Sequence, residues 1–168
     1  MNTNLLFDFT VDKEAKTITV KREFAAELNL TWRAWTEAEL LDQWWAPRPY
    51  RNETISMNFA LGGVWHYAMI SPVNEKHYCK AYYDLIDVLK MFSYKDTFCN
   101  EQGEDLSAMP SMHWNNHFIA QSDEKTLVDI LINFPNLEAL EGIIKMGFKE
   151  GFSMGLGNLD ELLLNFKK

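Results

Sequence analysis

The sequence predicts an α+β fold in which a curved antiparallel β-sheet wraps around a long C-terminal α-helix, with two short helices after the first strand. Three observations indicate this arrangement: a capped helical segment after an alternating strand, a long run of strand-like segments separated only by turns, and helical periodicity near the C-terminus. With 168 residues, the chain can bury a sizeable core without disulfides or metals. We therefore predict one domain over residues 1–168.

The first strand is predicted within residues 5–25, which end in a period-two run. Ile18, Val20 and Arg22 alternate with polar residues. This alternation is typical of a half-exposed strand, since successive side chains of a strand point to opposite faces.

Two short helices are predicted next. Asn29 can cap a helix over residues 30–35. The segment TEAE at 36–39 has the spacing of a capping box, in which the threonine hydroxyl and the second glutamate bind each other's backbone amides. The second helix, 37–45, ends before Pro47, because a proline disfavours helical backbone at the residue before it.

Residues 51–134 are predicted to form successive strands. Gly62 and Gly63 indicate a turn or bulge before the aromatic segment VWHYAMI. Further on, SDEK separates SMHWNNHFIAQ from TLVDILINF, which predicts a hairpin. Regular turns without intervening helices indicate an antiparallel sheet.

The last 30 residues have the periodicity of an amphipathic helix. Its apolar stripe, with steps of three and four, consists of Phe148, Phe152, Leu156, Leu159, Leu163 and Phe166. Gly147, Gly151 and Gly155 repeat every four residues within it, although each glycine costs about 1 kcal/mol relative to alanine in a helix interior. Either the glycines allow close packing of the helix on a curved sheet, or their missing side chains leave room for a ligand.

The charge and the N-terminal segment exclude several classes of protein. A net charge of −8 and a pI of about 5.0 argue against nucleic-acid binding, which depends on a basic surface. MNTNLLFDFT lacks the basic and long apolar parts of a signal peptide, and no segment approaches the roughly 20 apolar residues of a membrane span. We therefore expect a cytoplasmic protein without a membrane partner, in which Cys79 and Cys99 are buried thiols.

No motif predicts catalysis, a metal or a cofactor. The four histidines lack the spacing of a metal site, and the sequence contains neither a GxSxG motif nor a glycine-rich phosphate loop. We therefore assign no catalytic residue, no metal ligand and no cofactor. Asp84 and Asp87 interrupt an otherwise apolar strand, and burial of either one would raise its pKa.

Three segments resemble a known family. WRAWTEAELLDQWWAP at 32–47 contains a threonine turn, a leucine pair and Trp-Trp-x-Pro, and MNFALGGVWHYAM at 57–69 has Gly-Gly before an aromatic strand. MGFKEGFSMGLGNLDELL at 146–163 has an aromatic-Glu-Gly start and a leucine-rich end. Over residues 14–166 the sequence resembles the activator-of-Hsp90-ATPase-homologue-like family of the START/Bet v 1-like (SRPBCC, helix-grip) superfamily.

The resemblance implies a cavity between the sheet and the C-terminal helix; without it, the aromatic stripes would be read as plain core. Ligand pockets are mostly apolar, with a few polar groups that orient the ligand. The candidate cavity residues are Trp44, Trp45, Trp65, Tyr67, Met69, Tyr82, Trp114, Asn116, Phe118, Met146, Phe148 and Phe152. Because Trp44 and Trp45 are adjacent on a helix, we expect one to pack under the sheet edge and the other to line the pocket mouth. The polar orienting groups are expected from His113, Asn115, Asn116 or His117.

Three functions remain open at this point. The first is binding of an apolar or aromatic small molecule in the cavity. The second, implied by the resemblance, is activation of an Hsp90-type chaperone ATPase or a stress-response partnership, although the eukaryotic activators carry a large additional N-terminal domain and this sequence begins only a few residues before its first predicted strand. The third is an enzyme that uses the cavity for cyclase- or hydrolase-like chemistry. Either a monomer or a homodimer is compatible with the sequence.

Overall fold

A computed structural model describes residues 4–166, so the ends of the predicted 1–168 domain lie outside the described residues. Strands and helices alternate in groups rather than one by one. In chain order the elements are β1 (Phe7–Asp12), β2 (Thr17–Phe24), α1 (Leu28–Thr36), α2 (Ala38–Leu41), β3 (Arg51–Met57), β4 (Val64–Ile70), β5 (Lys76–Asp87), β6 (Met91–Cys99), β7 (Met112–Ser122), β8 (Lys125–Asn133), α3 (Leu137–Lys145) and α4 (Phe148–Asn165).

The strands form one antiparallel sheet of eight strands in the order β1-β2-β8-β7-β6-β5-β4-β3. Register shifts between Thr54 and Ser56, between Tyr83 and Leu85, and at the β7–β8 hairpin mark β-bulges. Bulges bend a sheet and increase its twist. The predicted fold is therefore confirmed: a curved antiparallel sheet with short helices near its start and a long C-terminal helix.

The predicted first strand is in fact a hairpin. Residues 5–25 divide into β1 and β2, and all six residues of β1 pair with β2. The turn between them is stabilised by the Asp12 carboxylate, which accepts a hydrogen bond of 3.0 Å from the Ala15 backbone N–H, and Lys16 adopts a φ of 58°. The two short helices consequently follow the second strand and not the first.

The helix ends differ from those expected. Helix α1 begins at Leu28, so Asn29 lies inside it and does not cap it. The Thr36 hydroxyl donates to the Trp32 carbonyl at 2.8 Å, one turn back in the same helix, so the predicted capping box does not form. Glu37 precedes α2, which ends already at Leu41.

The C-terminal periodic segment contains a break. Gly147 adopts a φ of +86° and separates α3 from α4, so it is not part of a helix as the glycine repeat suggested. Glycine is favoured there because a side chain strains the left-handed backbone conformation. Along α4 the stripe from Phe152 through Leu156 to Leu163 is buried as predicted, whereas Phe166 is exposed.

An aromatic corner, defined here as Trp35, Trp44 and Trp45, joins the short helices to α4. The ring of Trp35 lies 4.8 Å from that of Trp44 and 5.9 Å from that of Trp45, both in edge-to-face geometry. The Trp44 indole N–H donates to the Ala34 carbonyl at 2.8 Å. From α4, the Asn158 amide donates to the Trp44 carbonyl at 3.4 Å and to that of the adjacent Ala46 at 3.1 Å, so hydrogen bonds join the helix to the backbone at the corner.

Gly155 provides the close approach between α4 and the corner. A Cβ atom at this position would lie 3.2 Å from the Trp45 carbonyl oxygen and 3.4 Å from that of Trp44. Gly151 is less restricted, since its Cβ would meet Pro47 at an ordinary 3.6 Å. Close packing therefore explains Gly155, but the partner is the backbone of the corner rather than the sheet.

We predict that Gly157→Ala stabilises the protein and that Gly155→Ala does not. Both glycines lie in α4, but a Cβ at Gly157 would meet no atom within 4 Å. Gly157→Ala should therefore gain up to about 1 kcal/mol in the free energy of unfolding from helix propensity. Gly155→Ala should not show this gain, because the new Cβ atom would crowd the Trp44 and Trp45 carbonyl oxygens, which belong to the backbone and cannot easily move. Urea unfolding measures both, and an equal gain for the two variants would contradict the close packing.

Candidate functional site

A cavity of about 690 Å³ lies between the concave face of the sheet and the C-terminal helices. Strands β4 to β7 form one wall, and α3 and α4 form the other. Trp45 of the corner and the nearby Pro47 also line the cavity. The buried lining consists mainly of apolar and aromatic side chains: Trp45, Tyr67, Cys79, Met112, Trp114, Ile143 and Phe152.

The rim of the cavity is exposed and more polar. Tyr50, His77, Glu101, Met109 and Met146 line it and are accessible to solvent. The rim therefore combines residues of the β4–β5 hairpin, the loop after β6 and the junction between α3 and α4. An apolar interior with a partly polar opening is the usual architecture of a small-molecule pocket.

The strand register places one acidic side chain on the concave face. Residues directly opposite each other on paired strands share a face, and one row across β4, β5, β6 and β7 consists of Trp65, Ala81, Asp96 and Met112. Asp96 thus lies in a row whose other members are apolar or aromatic, and it lines the cavity.

Burial changes the acidity of Asp96. The residue is only 9% exposed, and burial raises the pKa of its carboxyl group to about 8, although the Tyr67 hydroxyl acts in the opposite direction. Within residues 4–166, its Oδ1 atom has no hydrogen-bond partner. Near neutral pH, therefore, Asp96 presents a largely protonated carboxyl group to the cavity.

The groups around Asp96 are neutral as well. Burial raises the pKa of Tyr67, Cys79 and Tyr94 well above their ordinary values, and the negative charge of Asp96 raises each further. A thiol or phenol with a raised pKa stays protonated at neutral pH. The cavity wall accordingly carries polar groups without a fixed charge.

Seven of the twelve candidate cavity residues line the cavity: Trp45, Tyr67, Met69, Trp114, Met146, Phe148 and Phe152. Of the adjacent tryptophans, only Trp45 lines the cavity, and it is buried rather than exposed at the mouth, where one of the pair was expected; Trp44 is 1% exposed and packs within the corner. That the seven side chains contact a ligand stays a prediction.

Of the other candidates, three belong to the core beside the cavity. Trp65 is buried and donates its indole N–H to the Thr54 hydroxyl at 3.0 Å. The Asn116 amide donates to the Phe92 carbonyl at 3.4 Å and is fully buried. Phe118 packs against aromatic rings of the core. These residues have the inward orientation that was expected, but Trp32 of α1 packs on Phe118, and Trp45 packs on Trp65.

Tyr82 lies on the opposite face of the sheet. Its hydroxyl donates to the Asp105 carboxylate at 2.9 Å, and the Lys80 ammonium lies 5.0 Å from its ring centroid. The inward residues of β5 are its neighbours Ala81 and Tyr83, which are buried. The expectation that Tyr82 lines the cavity is therefore wrong, because adjacent residues of a strand point to opposite faces and Ala81 and Tyr83 occupy the inner one.

The expected polar groups also differ from the observed ones. His113 and Asn115 hydrogen-bond to each other outside the cavity, and Asp84, which is about half exposed, binds His113 at 2.7 Å. Partial burial raises the pKa of Asp84, but hydrogen bonds from Ser93 and His113 outweigh it, so the pKa lies below its ordinary value. The sequence contained one signal for Asp96: it interrupts an alternating run of aromatic residues in β6.

No cluster of three or more histidine, cysteine, aspartate or glutamate side chains that could hold a metal occurs in residues 4–166. Cys79 and Cys99 are free and buried. In the same part of the chain, no helix is long and apolar enough to cross a membrane.

The sheet wrapped around α4, with a cavity between them, defines a helix-grip protein. The sequence model of the family described as Activator of Hsp90 ATPase homolog 1-like protein matches residues 25–164. The chain therefore belongs to the activator of Hsp90 ATPase homolog 1-like family, and the resemblance found in the three sequence motifs is confirmed.

Solved structures with the same fold come from several bacteria. A protein from Staphylococcus epidermidis is 31% identical, with a TM-score of 0.80 and 95% of each chain covered. One from Mycobacterium smegmatis is 25% identical, with a TM-score of 0.85, 95% of this chain and 96% of that chain covered. One from Arthrobacter aurescens is 22% identical, with a TM-score of 0.88, 94% of this chain and 91% of that chain covered. The comparison with curated proteins gave no match.

We predict that Asp96 makes the protein less stable as the pH rises. Between about pH 4 and about pH 8 the folded protein keeps Asp96 protonated, whereas the unfolded chain releases the proton near the ordinary pKa of 3.8. The free energy of unfolding therefore falls with rising pH, by at most about 1.4 kcal/mol per unit from this group. Asp96→Asn removes this contribution, so its advantage over the unsubstituted protein should grow from pH 5 to pH 8.

Urea unfolding at several pH values measures this difference. Asp87→Asn, an equivalent substitution at an exposed residue, is the control for the change in net charge. Parallel stability curves for Asp96→Asn and the unsubstituted protein would show that the carboxyl group is not buried in the folded state.

Proposed function

We propose that this protein binds an apolar or aromatic small molecule in the cavity between the sheet and α4. The observation that carries the proposal is the cavity itself, with a volume of about 690 Å³ and a mainly apolar lining. Small-molecule pockets typically have volumes of about 300–1,000 Å³ and a few polar groups among apolar walls. A well-packed core would contain few voids larger than a water molecule.

The polar group that orients the ligand in this proposal is Asp96. Its protonated carboxyl group can donate one hydrogen bond and accept others. The rings of Trp45 and Trp114 lie 5.7 Å apart at the buried end, where a flat apolar group would contact both. The ligand would thus contact aromatic rings at one end of the cavity and the carboxyl group of Asp96 on the sheet.

Activation of an Hsp90-type chaperone rests on the family description and stays a prediction. Adding this protein to such a chaperone and measuring its ATPase rate tests the idea, and an unchanged rate would exclude it. Cytoplasmic location and the choice between monomer and homodimer likewise remain predictions.

The enzyme alternative gains one feature from the structure. A buried carboxyl group with a pKa near neutrality, such as that of Asp96, can act as a general acid or base. A second reacting group has not been identified among residues 4–166, so we propose no reaction.

Native mass spectrometry of the protein as purified is the direct test of the cavity proposal. A bound compound of low molecular mass that is lost on denaturation would support it and would reveal the chemical class of the ligand. A protein mass without any adduct, combined with failure to bind the neutral apolar dye N-phenyl-1-naphthylamine, would contradict it.

We predict that Gly151→Leu weakens binding of the neutral apolar dye N-phenyl-1-naphthylamine, whose fluorescence rises in apolar surroundings. Gly151 lies in α4 and lines the cavity, so a leucine there would reduce the space for a ligand. We expect saturable binding to the unsubstituted protein and at least about tenfold weaker binding to the variant, as expected when a ligand is excluded by about 1.4 kcal/mol or more.

Gly157→Leu is the matched control for this experiment. Gly157 lies in the same helix, but it does not line the cavity and has open space around it. The dye should bind this variant as it binds the unsubstituted protein. Equal weakening by both substitutions would place the dye elsewhere or indicate a general effect on α4.

A further inference from the structure

Asp96 has no positively charged partner. The ion pairs of residues 4–166 join other acidic residues to lysine, arginine or histidine, and none includes Asp96. Its Oδ1 atom also lacks a hydrogen-bond donor in this part of the chain. A buried carboxylate is stabilised only when it is paired or hydrogen-bonded. Among residues 4–166 the carboxyl group has the Tyr67 hydroxyl beside it but no positively charged partner, so one of its oxygen atoms is available to a ligand in the cavity.

The surrounding walls suit a cation better than any other charged group. Aromatic rings line the cavity on both sides, from the corner, the sheet and α4: Trp45, Tyr67, Trp114, Phe148 and Phe152. The face of an aromatic ring attracts a cation, most strongly when water is excluded. An anion would meet the negative faces of the same rings and the carboxyl group of Asp96.

The basic residues of the cavity lining lie at its opening and away from Asp96. Lys76 and His77, the basic residues of the lining, lie at the exposed start of β5, and Glu101 lies on the rim. The protein as a whole carries a net charge of −8. A negative protein raises the local concentration of cations and repels anions.

We propose that the ligand is an apolar amine, whose ammonium group pairs with the carboxylate of Asp96 while its hydrocarbon part fills the aromatic end of the cavity. This inference rests on the proposed function and specifies the class of ligand. Its recognition elements are one buried acid, aromatic walls and the lack of a competing basic side chain next to Asp96.

Pairing with an ammonium group requires a change in protonation. Below about pH 8 the free protein holds a proton on Asp96, so binding of the protonated amine releases that proton to solvent, and the charge balances. The titratable groups that surround Asp96 cannot accept the released proton, because burial raises their pKa values and they are already protonated. These groups are Tyr67 on β4, Cys79 and Tyr83 on β5 and Tyr94 on β6. The lining residues of β7 and α4 nearby carry no charge: Met112, Trp114, Phe148 and Phe152.

Three probes of the same shape test the inference by isothermal titration calorimetry: 4-phenylbutylamine, 4-phenylbutan-1-ol and 4-phenylbutanoate. At pH 8.5 we expect the amine to bind at least about tenfold more tightly than the alcohol, and the carboxylate to bind most weakly. Asp96→Asn should remove the preference for the amine, whereas Asp87→Asn, which alters the net charge equally at an exposed site, should retain it.

The unsubstituted protein provides a second measurement that does not depend on the folding of any variant. Affinity for the amine should rise with pH, by up to about tenfold per unit between pH 6 and pH 8, and should level off above about pH 8. Titrations in two buffers with different ionisation enthalpies should show release of up to about one proton per amine bound at pH 6.5. The alcohol should show neither effect.

The outcomes separate the two proposals. Binding of the alcohol as tight as that of the amine, or amine binding without proton release, overturns the amine inference and leaves a cavity that binds apolar molecules. Failure of all three probes, together with failure of the neutral dye, overturns the proposed function and this inference with it.

Discussion

The packing of α4 against the backbone of the aromatic corner is the contact on which the other features depend. Gly155 brings the helix within van der Waals distance of the Trp44 and Trp45 carbonyls, and the Asn158 amide hydrogen-bonds to the same segment. This contact holds Trp45, whose side chain lines the cavity. Contact between the Trp35 and Phe152 rings, 6.5 Å apart, adds to this packing of the short helices on α4.

An acidic residue on an apolar wall distinguishes this cavity from an ordinary core. Burial of Asp96 opposes ionisation and contributes unfavourably to folding at neutral pH. A leucine or methionine at that position would pack without this cost. Residues that lower stability but line a cavity are characteristic of binding and catalytic sites, and for this reason both the proposed ligand and the unassigned chemistry centre on Asp96.

Much of the fold could be predicted because its signals are local. Alternating strands, the stripe of α4 and the Trp-Trp-x-Pro motif each occupy a short segment. The site was harder to predict, because it depends on which face of each strand is concave, and that is determined by long-range register. From the sequence alone, either Tyr82 or Ala81 could face the concave side of β5. Only the pairing with β4 and β6 shows that Ala81 faces inward. Asp96 was missed for the same reason, and the break at Gly147 was hidden by a regular glycine spacing.

The position of β2 in the sheet has a consequence for how the chain folds. All pairs of neighbouring strands in the sheet are consecutive in sequence except β2 and β8, where Thr17 lies opposite Asn133. The Thr126 hydroxyl, which donates to the Ala26 carbonyl, spans a separation of 100 residues. Contacts between distant segments slow folding because a long loop must close first. The β3–β8 meander can form from local hairpins alone, so we infer that docking of the N-terminal hairpin onto β8 is a late event during synthesis and folding.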